Sequence, residues 1–139
     1  MNILSGFRPT WAQIDLGALS RNLQKLREYL GADIRILAVV KANAYGHGSV
    51  DVSRELELGG VDAFGVAFVE EAVELRQAGI GRPILVLSGC FPGQERLAIE
   101  HDLTVVVSSL DILHGLDEAA ADLNRHAYYQ LKLDTGMGR

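Results

Sequence analysis

Cysteine and proline are scarce in this chain. Of its 139 residues, one is cysteine and three are proline. A single cysteine, Cys90, cannot form a disulfide within the chain, and no cysteines and histidines are spaced like metal ligands. The sequence therefore excludes an internally disulfide-bonded scaffold and predicts no metal site. Its composition is that of a globular protein that folds around a hydrophobic core.

Long apolar runs and clusters of positive charge are also missing. No apolar run approaches the ~20 residues that cross a bilayer, and residues 1–6 lack the basic-then-apolar pattern of a secretory signal peptide. The formal net charge is −5, without the basic stripe that would attract nucleic acid. We therefore expect a cytoplasmic protein that binds neither membranes nor nucleic acid.

Hydrophobic residues make up 48% of the chain and predict alternating helices and strands. In the clearest helix, Asp15 is a suitable N-cap, leucines recur every three or four residues from Leu16 to Leu30, and Gly31 ends the pattern. Apolar strands are predicted at Ile34–Val40, Ala63–Phe68, Ile84–Leu87, Leu103–Val107 and Tyr128–Leu133. Further helices are predicted at Ser49–Leu58, Val69–Ala78, Gln94–His101 and Ser109–Asn124.

The spacing of these elements predicts the fold class. A strand–helix unit repeats about every 20 to 25 residues, which is typical of a TIM-type (β/α) barrel. No Gly-x-Gly-x-x-Gly motif follows the first strand, which argues against a dinucleotide-binding fold. Eight units over roughly 250 residues close such a barrel, and this chain supplies about five. We expect an α/β protein with a partial barrel at residues 15–139 and an extended segment at residues 1–14, forming the N-terminal part of a longer protein.

Lys41 is the first candidate for chemistry. Residues 39–48 read Val-Val-Lys-Ala-Asn-Ala-Tyr-Gly-His-Gly. As the last residue of a parallel strand, Lys41 would stand at the carboxyl end of the sheet, where α/β folds place their chemistry. Partial burial there favours the neutral amine that a Schiff base requires. The small residues and glycines that follow predict a loop in which backbone N–H groups and Tyr45 approach an anion such as a phosphate.

A second candidate site lies in the fifth strand. Residues 130–134 read Gln-Leu-Lys-Leu-Asp, so leucines alternate with polar residues. A barrel strand shows an apolar face to the surrounding helices, so Leu131 and Leu133 are expected to point outward. Lys132 and Asp134 are then expected to point into the barrel. An exposed edge strand with solvated charges would produce the same alternation.

Both segments resemble signatures of bacterial alanine racemases. Residues 39–48 are similar to that family's cofactor-lysine motif. Residues 132–139, Lys-Leu-Asp-Thr-Gly-Met-Gly-Arg, are similar to its second signature. The first resemblance implies that Lys41 holds pyridoxal 5′-phosphate as a Schiff base and that Tyr45 binds the phosphate.

The second resemblance implies three further roles. Lys132 would be carbamylated, which turns it into an anion that orients Arg139. Arg139 would donate to the phenolic oxygen of the cofactor and support the substrate carboxylate, to which the backbone N–H of Met137 would also contribute. A buried, unmodified Lys132 facing Arg139 would be a clash of like charges.

For function, the resemblance implies a pyridoxal-phosphate-dependent isomerase that interconverts L-alanine and D-alanine for peptidoglycan synthesis. Lys41 would be one base of a homodimeric enzyme, and a tyrosine from the partner subunit, outside these 139 residues, would be the other. The chain alone would then be inactive. Two alternatives remain open. One is a related pyridoxal-phosphate protein of the same fold, such as a homeostasis protein or an amino-acid decarboxylase. The other is a non-catalytic folding or assembly module.

Overall fold

In the computed structural model, which describes residues 10–138, the chain forms one parallel sheet flanked by helices. The strands are β1 (Leu37–Val39), β2 (Ala63–Val66), β3 (Ile84–Val86), β4 (Leu103–Val107) and β5 (Tyr128–Leu131). The helices are α1 (Leu16–Leu30), α2 (Lys41–Gly46), α3 (Ser49–Leu58), α4 (Val69–Gln77), α5 (Glu95–Glu100) and α6 (Leu110–Asp122).

Each strand pairs in parallel with the next strand along the chain, in the order β1-β2-β3-β4-β5. The register places Phe64 beside Ile84 and Val105 beside Tyr129. A doubly wound sheet would reverse its strand order at an internal switch point. Sequential neighbours joined by helices are the arrangement of a TIM-type barrel, so the predicted partial barrel is confirmed.

Helix α1 begins and ends where its sequence predicts. The Asp15 carboxylate accepts a hydrogen bond of 2.9 Å from the backbone N–H of Ala18, which satisfies one free donor of the first turn. Gly31, with φ of 84°, ends the helix. Leu23 is buried against the core, and α1 packs on α3. Within residues 10–138, none of the helices is both long and apolar enough to cross a membrane.

The hydrophobic core lies between the helices and one face of the sheet. The fully buried side chains there alternate along the strands and recur on the inner sides of the helices. They include Phe64, Val66, Ile84, Val86, Leu103 and Val105 from the strands and Leu75, Ile99 and Leu116 from the helices. This one-sided burial fixes which residues of each strand face the helices.

The opposite face of the sheet, which we call the inner face, is apolar where it is formed by β1 to β3. A Cβ added to Gly65 in β2 would meet the side chains of Leu37, Leu87 and Val39, so all four residues share this face. Leu37 and Val39 remain 40% and 39% exposed. In a TIM-type barrel this face lines the interior, and the active site lies where the interior opens at the carboxyl ends of the strands.

Four of the five predicted strands were too long at their carboxyl ends, and β4 has the predicted bounds. β1 stops at Val39 rather than Val40, and β5 stops at Leu131 rather than Leu133. Backbone pairing continues for one residue in each case, because Val40 N–H donates to the Gly65 carbonyl and Lys132 N–H donates to the Val107 carbonyl, both over 2.8 Å. Beyond those bonds the chain turns away, and apolar sequence alone does not mark the turn.

The register of β5 agrees with the predicted outward orientation of Leu131, whereas Leu133, predicted to point the same way, lies beyond the end of the strand. Leu131 lies beside Val107, whose side chain is buried on the helix-facing side of the sheet. Leu131 therefore faces the same side, although it is 62% exposed. Because successive side chains of a strand alternate between the two faces, the next residue, Lys132, is directed toward the inner face.

Candidate functional site

A groove at the carboxyl end of the sheet brings the two sequence motifs together. We call it the carboxyl-end groove; its volume is about 680 Å³. It is lined by Lys41, Leu87, Ser88, Val106, Ser108, Lys132, Leu133, Asp134, Thr135 and Met137. Parallel strands end at one edge of the sheet, which is why segments from opposite ends of the sequence meet here.

Lys41 is the first residue of α2, not the last residue of β1 as predicted. It follows the buried Val40, and its own side chain is partly buried where it borders the groove. Among the described residues, none forms a hydrogen bond or an ion pair with the Lys41 amine. An amine held at the rim of a groove without an internal partner is well placed to react with a carbonyl compound.

The segment after Lys41 is a left-handed helical turn, so the predicted loop was wrong. Ala42, Asn43, Ala44 and Tyr45 have φ between 51° and 55° and ψ between 36° and 51°. This conformation costs roughly 1–2 kcal/mol per residue for side chains other than glycine. No sequence rule predicts it for alanine, and the turn therefore depends on hydrogen bonds that hold it in place.

Hydrogen bonds within the segment hold part of this turn. Ala44 N–H donates to the Val40 carbonyl over 2.9 Å, and Gly48 N–H donates to the Asn43 carbonyl over 3.0 Å. His47 N–H and its Nδ1 both lie within hydrogen-bond distance of the Ala44 carbonyl. These N–H groups donate within the protein, so they are already engaged and do not serve as the anion donors that the sequence predicted for this segment.

Tyr45 lies at the end of the left-handed turn, and its side chain is 60% exposed. It is not among the described residues that line the carboxyl-end groove. The structure therefore places Tyr45 on the same turn as Lys41 but not in the lining of the groove.

Glu71 contacts the turn after Lys41, and the sequence did not reveal this contact. Its carboxylate accepts a hydrogen bond of 2.6 Å from the backbone N–H of Ala42, directly after Lys41. It also accepts from Phe68 N–H at the start of α4. A Glu three residues after the N-cap is the second half of a capping box, but Phe68 replaces the usual Ser or Thr and hides the signal.

The second motif forms a loop held by Asp134. The Asp134 carboxylate accepts hydrogen bonds from the backbone N–H groups of Gly136 at 2.9 Å and Gly138 at 3.2 Å. These two bonds lower the pKa of Asp134, with smaller contributions from the Met137 N–H and the charge of Lys132. The loop presents Met137 at the groove with its side chain 82% exposed. Arg139 lies outside the described residues.

Cys90 follows β3 and is buried. Burial raises the pKa of its thiol, and the nearby Glu95 raises it further. A thiol with a raised pKa is a poor nucleophile. Cys90 is therefore a structural residue of the loop beside the site.

Residues 14–139 match the family described as "Alanine racemase, N-terminal domain". The chain is 50% identical over 132 residues to the alanine racemase of Geobacter sulfurreducens. The matched region covers 95% of this chain and 35% of that protein.

The fold is similar to that of solved racemase structures. The alanine racemase of Clostridium difficile 630 superimposes with a TM-score of 0.91 at 40% identity, over 97% of this chain and 35% of that one. A histidine racemase from Leuconostoc mesenteroides superimposes with a TM-score of 0.79 at 33% identity, over 89% of this chain and 33% of that one. The chain thus spans about a third of the length of these relatives.

Proposed function

The chain belongs to the alanine racemase N-terminal domain family, and from this premise we propose that it supplies the cofactor-lysine part of a pyridoxal-phosphate-dependent alanine racemase. The observation that carries the proposal is the carboxyl-end groove. It unites Lys41 with Lys132, Asp134 and Met137, which belong to two motifs far apart in the sequence. A related pyridoxal-phosphate protein would need the lysine, but not the second motif beside it.

Lys41 at the groove and Tyr45 on the adjoining turn suit pyridoxal 5′-phosphate. Lys41 offers a partly buried amine without a described internal partner, and Tyr45 offers a phenol on the same turn. Lys41 would hold the cofactor covalently, Tyr45 would donate to its phosphate, and Arg139 would donate to its phenolic oxygen. When bound, the cofactor supplies an electron sink that acidifies the Cα proton of an amino acid.

Lys41 also has a role in proton transfer. Its amine would remove or return the proton at Cα of the substrate from one side. Racemisation needs a second base on the other side, which we assign to a tyrosine of a partner subunit, so the working enzyme would be a homodimer. We infer a cytoplasmic enzyme that supplies D-alanine for peptidoglycan.

The loop after β5 would bind the substrate carboxylate. Arg139 and the backbone N–H of Met137 are the proposed donors. The Met137 N–H contributes to lowering the pKa of Asp134, so a substrate carboxylate would compete with Asp134 for this donor. Carbamylation of Lys132 would replace its positive charge by an anion able to accept from Arg139.

Borohydride trapping tests the assignment of Lys41. The chain is incubated with pyridoxal 5′-phosphate, reduced with borohydride and mapped by mass spectrometry. We expect the label on Lys41, with little on the exposed Lys25 of α1, and none at position 41 in Lys41→Arg. A label distributed on Lys25 and Lys132 with Lys41 unmodified would overturn the proposal.

A further inference from the structure

Glu71 connects the start of α4 with the turn that follows Lys41. One carboxylate oxygen accepts from Ala42 N–H at 2.6 Å, and the other accepts from Ala67 N–H at 2.7 Å and Phe68 N–H at 3.2 Å. The side chain is partly buried between the two segments. A single carboxylate thus holds three backbone donors from two parts of the chain.

The bond to Ala42 acts on Lys41 through their shared peptide group. That peptide joins the Lys41 carbonyl to the Ala42 nitrogen, so fixing the N–H direction fixes the backbone from which the Lys41 side chain leaves. Ala42, with φ of 51°, is also the first residue of the strained left-handed turn. A charge-assisted hydrogen bond is about twice as strong as a neutral one, which suits a donor held in a strained conformation.

We propose that Glu71 is a positioning residue for Lys41, which directs the amine into the carboxyl-end groove by holding the Ala42 N–H. This inference rests on the proposed function, in which Lys41 is the reacting amine. Glu71 acts through the backbone of the turn and not by touching substrate or cofactor. Glu71 has a second role: by accepting from Ala67 N–H and Phe68 N–H, it caps the start of α4. This cap holds the helix in the position from which the Glu71 side chain reaches the turn.

The chemistry of the side chain predicts which substitutions separate the two roles. In Glu71→Gln, one oxygen remains as an acceptor, and the amide NH₂ brings a donor against an N–H donor. In Glu71→Asp, the charge stays at the first turn of α4, but the side chain is one methylene shorter and loses reach toward Ala42. Glu70→Gln is a matched control, because Glu70 is the neighbouring acid of the same helical turn and bonds Gln94 instead.

The experiment measures how selectively pyridoxal 5′-phosphate labels Lys41. Each variant is labelled, reduced with borohydride and mapped, and the ratio of Lys41 to Lys25 label is compared at equal cofactor concentration. Loss of one charge-assisted bond predicts a ratio about tenfold lower in Glu71→Gln and Glu71→Asp. Glu70→Gln should match the wild type. The thermal midpoint of each variant is recorded alongside.

The outcomes distinguish the inference from the proposed function. A lowered ratio in either folded Glu71 variant supports positioning, and Glu71→Asp decides the matter if Glu71→Gln does not fold. A lower thermal midpoint with an unchanged ratio would show that Glu71 only caps α4, and would overturn the inference. A wild-type chain without label on Lys41 would overturn the proposed function itself.

Discussion

The side-chain Oδ1 of Asn43 accepts a hydrogen bond of 2.8 Å from the backbone N–H of Ser49. Asn43 lies in the left-handed turn, and Ser49 is the buried first residue of α3. The turn that carries Lys41 therefore also caps the helix that follows. Asparagine suits both tasks, because it tolerates the left-handed conformation better than most residues and offers an acceptor.

Replacing Asn43 should weaken the turn and the helix together. We predict that Asn43→Ala lowers the free energy of unfolding by about 1–2 kcal/mol through loss of the cap. Asn43→Asp keeps the acceptor and places a negative charge near the start of α3, so its stability should stay near the wild type. Urea unfolding of the three proteins measures the difference. Equal stability of the alanine variant and the wild type would contradict this role.

Asp62 predicts a pH dependence of stability. Its carboxylate accepts from Ile36 N–H at 2.6 Å and from the Arg27 guanidinium at 3.0 Å, and these bonds lower its pKa below the ordinary value. A carboxyl whose pKa is lower in the folded state stabilises the fold above its unfolded pKa of about 3.9. That contribution is lost as the pH falls from there through the folded pKa.

We therefore expect Asp62→Asn to lower the thermal midpoint clearly at pH 7 and much less at pH 3. Asp51→Asn is the control, because Asp51 is an exposed residue of α3 with only a 3.9 Å ion pair to Arg54. Thermal unfolding followed by circular dichroism at several pH values provides the data. A difference between Asp62→Asn and the wild type that stays constant down to pH 3 would be evidence against the assignment.

Arg76 ties α4 to the amino ends of two strands. Its guanidinium donates to the carbonyls of Ile80 and Arg82 at 2.7 Å, His101 at 3.0 Å and Asp102 at 3.2 Å. Burial lowers the pKa of Arg76, partly offset by Asp102 and Glu57. A lysine cannot reproduce this planar set of donors. We predict that Arg76→Lys lowers the free energy of unfolding by about 2–3 kcal/mol, since carbonyls lose their partner.

The matched comparison for Arg76 is Arg96→Lys. Arg96 pairs with Glu100 one turn away on the exposed side of α5, and such pairs contribute only about 0.3–0.5 kcal/mol. Chemical denaturation of both variants tests the contrast. If Arg96→Lys costs as much as Arg76→Lys, the carbonyl contacts of Arg76 are not what stabilises this region.

The 139 residues by themselves should racemise alanine negligibly. Only the base on the Lys41 side is assigned within them, and one general acid or base contributes roughly 10²–10⁴ in rate. Chiral analysis of L-alanine incubated with the chain and pyridoxal 5′-phosphate measures this, with the cofactor alone as control. Turnover comparable to that of an intact racemase would show that the second base is dispensable or lies within the chain.

Regular elements of this protein were predictable wherever burial follows a period. The leucines of α1 and the cap at Asp15 predicted that helix correctly, and the apolar run Leu103–Val107 coincides with β4. These elements are decided locally, because a 3.6-residue or two-residue period directly states which side chains are buried. The motifs of Lys41 and Lys132 both follow strands of one parallel sheet, so they lie at the same carboxyl end of that sheet.

What only the tertiary structure decided is the shape of the site around Lys41. Four successive residues in the left-handed conformation, led by Ala42, are unfavourable in an isolated segment. They form here because Glu71, from a helix nearly thirty residues later, accepts the Ala42 N–H, and because Val40 and Asn43 supply further bonds. The sequence by itself determined the alternation of strands and helices, since burial periodicity is a local property. The conformation of the turn beside Lys41 also depends on Glu71, an acceptor distant in sequence, and this carboxylate meets the turn only once the sheet has assembled.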